Sequence, residues 1–226
     1  MSRDQKASIV HELHTHNVNI DSREVFVHGY IGDLEEDPGI EWRIANNFLK
    51  NLRLLEGLSK QKLIVVHQFS DGGDWSAGIM MYDAILSCEA PVLYVMWGQA
   101  ASMGSIIPQA ADKRIVSPSC NFMVHDGETS VSGSYKQAQS QVVFEKRMKA
   151  QMMDIYSSAC VTGEYFCDEY SEDDVKNFIE EKLEKKEDWW MSADEAVEYG
   201  FADGVLGTPG FETILDVKND WEDESE

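Results

Sequence analysis

The sequence predicts an α/β fold of stacked βαβ units, and three features of the chain point to it. Two apolar segments, Leu63–Val66 and Val92–Trp97, lack polar alternation, as strands do when helices cover both faces of a parallel sheet. Each of these segments is soon followed by a turn rich in glycine and small residues. Residues at helical spacing come after each turn, which is the repeating order of βαβ units.

The first unit begins with a short apolar strand at Val25–Val27. A helix with Gly57 as its stop is predicted by apolar residues at helical spacing, which are Ile40, Ile44, Phe48, Leu52 and Leu55. The strand Leu63–Val66 then leads to the turn Ser70–Gly73, and a second helix is expected from about Trp75 to Leu86.

The second unit places two more motifs at strand ends. Val92–Trp97 is followed by Gly98–Gly104, whose small residues open another helix. Arg114–Val116 and Phe122–Val124 are predicted strands, and the second delivers His125 at its end. Because sites of open α/β sheets form at the carboxyl ends of strands, a site is expected at this edge.

The C-terminal half is predicted to be largely helical. Gly127–Tyr135, rich in Ser, Thr and Gly, precedes a helical pattern at Lys136–Ala159 that is long enough to protrude. Ser171 is placed as the N-cap of a charged helix, and Ser192 opens a capping box for a short one. The acidic stretch after Val217 is expected to be frayed.

Composition and charge limit the partners of the chain. The 41 acidic and 19 basic residues give a net charge of −22, which repels phosphate backbones and anionic lipid headgroups. Neither nucleic acid nor a membrane is an expected partner, although a need for solubility explains the acidic excess equally well. No apolar signal segment and no run of 18 apolar residues occurs, so we expect a cytoplasmic protein.

No cofactor or metal site is predicted. The four cysteines have neither zinc spacing nor a C-x-x-C pair, which predicts free thiols in a reducing compartment. Three histidines near the N-terminus, His11, His14 and His16, have no acidic or cysteine ligand at a fixed spacing and are interpreted as solvent-exposed.

The glycine-rich strand ends carry residues suited to nucleophilic catalysis. A serine hydroxyl needs a base, a group that orients this base, and donors for the oxyanion. Ser102 lies among small residues at a strand-to-helix turn, and the N–H of Met103 would point into the same space. Gly72-Gly73 can supply a second donor, and His125 can reach the same edge of the sheet. Ser102 alone is a weak signal for catalysis. The prediction therefore depends on the combination of Ser102 with His125 and the backbone donors.

Three sequence blocks resemble the motifs of one known family. Gly98–Gly104 (G-Q-A-A-S-M-G) is similar to its nucleophile motif, Met123–His125 to its base motif, and Ser192–Asp203 to its C-terminal block. With Gly72-Gly73 and the helix after it, the similarity runs from about Arg23 to Leu206. In these blocks the chain resembles the proteolytic subunits of the Clp protease, the caseinolytic peptidases of family S14, as a divergent and phage-type member.

The resemblance implies a crotonase-like fold with a protruding handle helix, and a serine endopeptidase that works through an acyl-enzyme. It assigns the roles of nucleophile, base and triad acid, in that order, to Ser102, His125 and Asp188. It also implies an oxyanion hole made by the backbone N–H groups of Gly73 and Met103.

The resemblance further implies homo-oligomeric rings, two stacked heptamers, in which the helix Lys136–Ala159 interleaves the rings. Gly127–Tyr135 would be a strand that binds substrate or meets the opposite ring. The substrates would be peptides or unfolded proteins, and the partner an AAA+ unfoldase. Residues 1–22 are then an N-terminal extension, residues 23–208 the Clp-protease-like peptidase domain, and residues 209–226 an acidic C-terminal tail.

Departures from the family pattern leave alternatives open. Ser70-Asp71-Gly72-Gly73 replaces Ser-Pro-Gly-Gly, and His125-Asp126-Gly127 replaces His-Gln-Pro. The stretch between His125 and Asp188 is longer than usual, and the N-terminal segment does not resemble the loops that engage the unfoldase. An ATP-independent phage-type maturation protease is therefore an alternative. A non-proteolytic crotonase-type acyl-CoA enzyme would not need the Ser/His pair, and an inactive ring subunit would have lost Ser102 or His125.

Overall fold

A mixed β-sheet with helices on both faces forms the centre of the protein. The computed structural model describes residues 3–27, 39–128, 130–167 and 169–224. The strands are β1 Val18–Asn19, β2 Glu24–Val27, β3 Ile64–Ser70, β4 Val92–Ala101, β5 Lys113–Val116, β6 Asn121–His125, β7 Asp188–Met191 and β8 Gly204–Val205. The helices are α1 Arg3–His16, α2 Trp42–Leu58, α3 Trp75–Leu86, α4 Met103–Ile106, α5 Tyr135–Cys160, α6 Glu172–Lys186, α7 Ala193–Glu198 and α8 Ile214–Glu224, with a 3₁₀ turn at Ile107–Ala110.

Strand β4 is the branch point of the sheet. The strand order is β1-β2-β3-β4-β5-β8, and all neighbours are parallel except β1 and β2. β4 pairs with β5 through Leu93–Met96 and with β6 through Gln99–Ala101, and β6 pairs antiparallel with β7. The parallel strands joined by crossover helices confirm the predicted α/β fold of stacked βαβ units.

Apolar side chains cover both faces of β3 and β4. Alternate residues of β3 point to opposite sides, with Ile64 in the main core and Val65 in a second cluster under α8. This burial on both faces is the physical reason for the unbroken apolar run in the sequence. Val217 is 2 % exposed and Trp221 packs against the same second cluster. The expectation of a frayed C-terminal segment is therefore wrong, because apolar residues at helical spacing anchor it as α8.

Several helix boundaries follow their capping residues. α6 and α7 begin at capping boxes made by Ser171 with Asp174 and by Ser192 with Glu195, which confirms both predicted starts. α2 runs one residue past the predicted stop at Gly57. No helix in the described part of the chain has the length and apolar character that a membrane span requires.

Helix α5 begins and ends within one residue of its predicted bounds, but its apolar residues divide into two groups. Val143 is 70 % exposed near the N-terminal end, whereas Met152 and Met153 are buried in the core. These two methionines are buried because the part of α5 that carries them belongs to the main core, and α5 packs against α4 and α6.

The resemblance implied a strand at Gly127–Tyr135, and the structure contradicts it. The described residues of this segment are irregular up to Ser134. Its serine- and glycine-rich backbone pairs with no other strand of the described chain.

Candidate active site

Three strand ends bring polar side chains to one edge of the sheet. Ser102 follows β4 directly, His125 is the last residue of β6, and Asp188 is the first residue of β7. The parallel pairing of β4 with β6 sets Ala101 beside Met123, and the antiparallel pairing of β6 with β7 sets His125 opposite Asp188. The register of the sheet thus determines where all three side chains lie.

The imidazole of His125 lies between a hydroxyl and a carboxylate. Its Nε2 is 2.8 Å from Ser102 Oγ, and its Nδ1 is 3.2 Å from Asp188 Oδ1. A carboxylate favours the tautomer with the proton on Nδ1, which leaves Nε2 to accept a hydrogen bond from the Ser102 hydroxyl. The His125 side chain is 20 % exposed and the Asp188 side chain 51 %, so solvent reaches mainly the carboxylate.

Ser102 has a backbone conformation that residues other than glycine rarely adopt. Its φ is 53° and its ψ is −124°. Such a backbone conformation costs about 1–3 kcal/mol of conformational free energy and persists only where the surrounding structure holds it. The Ser102 N–H donates to the carbonyl of Met123 at 3.1 Å, and the Ser102 carbonyl accepts from the N–H of Ser105 at 2.9 Å. Hydrogen bonds on both sides therefore hold the turn that presents Oγ to His125.

Glycine is required beside Ser102. A Cβ at Gly72, where φ is +106°, would lie 2.5 Å from Ser102 Cβ and 3.0 Å from Ser102 Oγ. A Cβ at Gly73 would lie 2.2 Å from the carbonyl oxygen of Ile40. Neither position has room for a side chain without moving its neighbour.

Two residues that line the same cleft as Ser102 have a backbone N–H group available to a ligand. Gly73 and Met103 both line this cleft, and neither N–H donates a hydrogen bond to another described residue. The Met103 N–H is at the first position of α4, where no preceding helical turn supplies an acceptor. Both groups can therefore donate to a ligand bound at Ser102.

The cleft itself has a volume of about 530 Å³. Its large apolar lining residues come from α3, α4 and α5, and are Trp75, Met103, Ile106, Phe144, Met148 and Met152. At the rim, Lys149 Nζ lies 2.6 Å from Asp126 Oδ2, an exposed ion pair.

Two residues that hold the site were missed by sequence reasoning. Ser105 donates its Oγ–H to the Ser102 carbonyl, and Tyr156 lies behind Ser105 at hydrogen-bond distance. The only local signal for Ser105 was its hydroxyl, one helical turn after Ser102. Nothing in the sequence connects Tyr156 to Ser105. Next to Asp188, Trp189 packs in the core and is 2 % exposed, whereas Trp190 is 46 % exposed.

Replacing Gly72 by alanine is expected to lower kcat/KM of any reaction at Ser102 by about 10²-fold, because the new Cβ displaces the Ser102 side chain. Gly207→Ala is a matched control, since Gly207 has a φ of +93° but no neighbour within 4 Å. Steady-state kinetics of the two variants check this prediction. Equal activities would contradict the close approach of Gly72 to Ser102.

The chain is similar to known proteins over most of its length. Residues 34–209 match the family model described as Clp protease. One relative is ATP-dependent Clp protease proteolytic subunit 1 of Chlamydia muridarum. It is 31% identical to this chain over 193 residues, which cover 83% of this chain and 88% of the relative. The ATP-dependent Clp protease proteolytic subunit of Deinococcus radiodurans is 28% identical over 171 residues, covering 74% and 76%.

Proposed function

The chain belongs to the Clp protease family of serine peptidases, and we propose that it is a serine endopeptidase that acts through Ser102, His125 and Asp188. The observation that carries this proposal is the 2.8 Å distance between His125 Nε2 and Ser102 Oγ at the cleft. Only a base at this distance can take the serine proton as the oxygen attacks.

The proposed reaction has two halves. His125 accepts the proton of Ser102 while Oγ attacks the peptide carbonyl, and the resulting oxyanion is bound by the N–H groups of Gly73 and Met103. The imidazolium then donates its proton to the leaving amine, which leaves an acyl-enzyme on Ser102. Water, activated by His125, hydrolyses this ester, and Asp188 stabilises the imidazolium in both halves.

The same distance weighs against two of the three alternatives. An acyl-CoA enzyme of the crotonase type would use oxyanion donors without a paired serine and histidine, and an inactive subunit would have no reason to keep them within hydrogen-bond distance. An ATP-independent maturation protease has the same chemistry and differs only in how substrate arrives.

Asp188→Asn is the variant that tests the proposed triad. We expect kcat for a fluorogenic peptide to fall by about 10²-fold or more with little change in KM, because an amide neither fixes the tautomer nor stabilises the imidazolium. Asp194→Asn, an exposed carboxylate on α7, is the control. An unchanged kcat for Asp188→Asn would remove Asp188 from the mechanism.

The proposed endopeptidase works as the proteolytic subunit of a homo-oligomeric ring chamber, with two stacked heptamers as the expected assembly. The relatives are named as subunits of an ATP-dependent protease, and for this chain we likewise propose an AAA+ unfoldase that supplies unfolded protein. Support from the chain itself comes from α5, whose exposed apolar residues Val142 and Val143 stand beside the cleft residue Phe144.

Light scattering at micromolar concentration is expected to give a mass many times that of the 25.6 kDa chain. Val143→Asp is expected to shift the population to smaller species, because it places a charge on the apolar surface of α5. Lys146→Asp, on the same helix but at a charged exposed position, is the control. A monomeric wild-type protein would contradict the proposed ring.

A further inference from the structure

A chain of buried hydrogen bonds runs from α5 to the turn that carries Ser102. The Tyr156 hydroxyl oxygen is 2.7 Å from Ser105 Oγ, and Ser105 Oγ is 2.7 Å from the carbonyl oxygen of Ser102. Both side chains belong to residues with a relative exposure of 0 %. The mechanism above assigns neither hydroxyl a role, and neither residue lines the cleft.

The number of hydrogens fixes the direction of both bonds. A carbonyl oxygen can only accept a hydrogen bond, so the single hydroxyl hydrogen of Ser105 is donated to the Ser102 carbonyl. Tyr156 must therefore donate to Ser105 Oγ. Burial raises the pKa of the Tyr156 phenol, so it keeps the proton that it donates. Each bond in such a chain polarises and strengthens the next.

The Ser102 carbonyl belongs to the same peptide unit as the N–H of Met103. A peptide unit is planar, and no cis peptide bond occurs among the described residues, so the C=O and the N–H of this unit point in opposite directions. Any rotation about ψ of Ser102 turns both groups together. A hydrogen bond that fixes the Ser102 carbonyl therefore also fixes the direction of the Met103 N–H.

We propose that Ser105 and Tyr156 are positioning residues that aim the Met103 N–H at the oxyanion by holding the Ser102 carbonyl. This inference rests on the proposed function, in which Met103 donates to the oxyanion. The Ser102 carbonyl also accepts from the N–H groups of Ser105 at 2.9 Å and Ile106 at 3.3 Å, so the hydroxyls refine an orientation that α4 already favours.

The positioning role predicts a defined kinetic pattern. Ser105→Ala is expected to lower kcat by about 10- to 100-fold, less than the loss of an entire oxyanion donor. Tyr156→Phe removes one oxygen without changing the shape of the ring and is expected to lower kcat by about 3- to 10-fold. KM is expected to stay unchanged in both, since the oxyanion exists only in the transition state and the tetrahedral intermediates.

Two further measurements separate positioning from a general loss of packing. A peptide boronic acid forms a tetrahedral adduct with the serine, so its affinity is expected to fall by the same factor as kcat/KM in each variant. The double variant Ser105→Ala with Tyr156→Phe is expected to match Ser105→Ala alone, because Tyr156 acts only through Ser105. Tyr199→Phe, which removes the hydroxyl of a partly buried tyrosine just after α7, is the control and is expected to keep kcat.

Variants with full kcat, additive losses in the double variant, or an unchanged boronate affinity would each overturn the positioning role. These failures are distinct from failure of the proposed function. If the wild-type protein neither binds the boronate nor hydrolyses peptides, the serine mechanism itself is wrong. If wild-type protein does both and the hydroxyl variants match it, only the role of Ser105 and Tyr156 is wrong.

Discussion

Ser102→Ala is expected to lower kcat for peptide hydrolysis by about 10⁵- to 10⁶-fold, because the attacking oxygen is lost and no other group can form the acyl-enzyme. The turn itself is expected to survive. Alanine keeps the Cβ against which Gly72 packs, and the backbone bonds of Ser102 to Met123 and Ser105 do not involve the hydroxyl. Turnover of a fluorogenic peptide, measured at equal protein concentration, checks this expectation.

Ser119→Ala is the control for this variant, since Ser119 is an exposed serine in the turn between β5 and β6. It is expected to keep full activity. Measurable turnover by a Ser102→Ala preparation free of contaminating wild-type protein would rule out the proposed nucleophile.

Asp203→Ala is expected to have the largest effect on stability. The guanidinium of Arg114, whose side chain is 11 % exposed, binds both carboxylate oxygens of Asp203, and the Arg114 N–H donates to the same carboxylate at 2.6 Å. Removing the carboxylate leaves a largely buried cation without its partner. Such a loss costs about 3 kcal/mol of the free energy of unfolding. For a chain of this size, the expected fall in Tm is roughly 6–12 °C.

An exposed ion pair supplies the comparison. Lys60 Nζ lies 2.7 Å from Glu89 Oε1, with both side chains more than half exposed. Glu89→Ala is expected to leave Tm nearly unchanged, because solvent already screens this pair. The two Tm values must be measured at the same protein concentration, since assembly of subunits also stabilises the fold. Similar values of Tm for the two variants would contradict a structural role for the Arg114–Asp203 pair.

The meeting of Ser102 and His125 at one edge of the sheet could be predicted because the signals for their positions are local. Ser102 and His125 each follow a predicted strand, and parallel strands end at a common edge. Asp188 depended on resemblance alone, since β7 is a short strand that the sequence pattern did not reveal. Its position opposite His125 comes from antiparallel pairing across a separation of 63 residues.

Other features escaped prediction because they join distant parts of the chain. Ser105 and Tyr156 are 51 residues apart, and Arg114 and Asp203 are 89 residues apart. Neither hydrophobic periodicity nor a capping pattern predicts contacts between residues so far apart in the sequence. The helix α8 was missed for a different reason, because its acidic residues concealed the apolar spacing that packs it on the sheet.

Reaction with a fluorophosphonate probe, followed by peptide mapping, tests the proposed nucleophile most directly. The probe phosphonylates a serine only when a base activates its hydroxyl. We expect one modified residue, Ser102, with no modification in Ser102→Ala and a much slower reaction in His125→Ala. Modification of a different residue, or peptide hydrolysis that persists while Ser102 stays unmodified, would contradict the account.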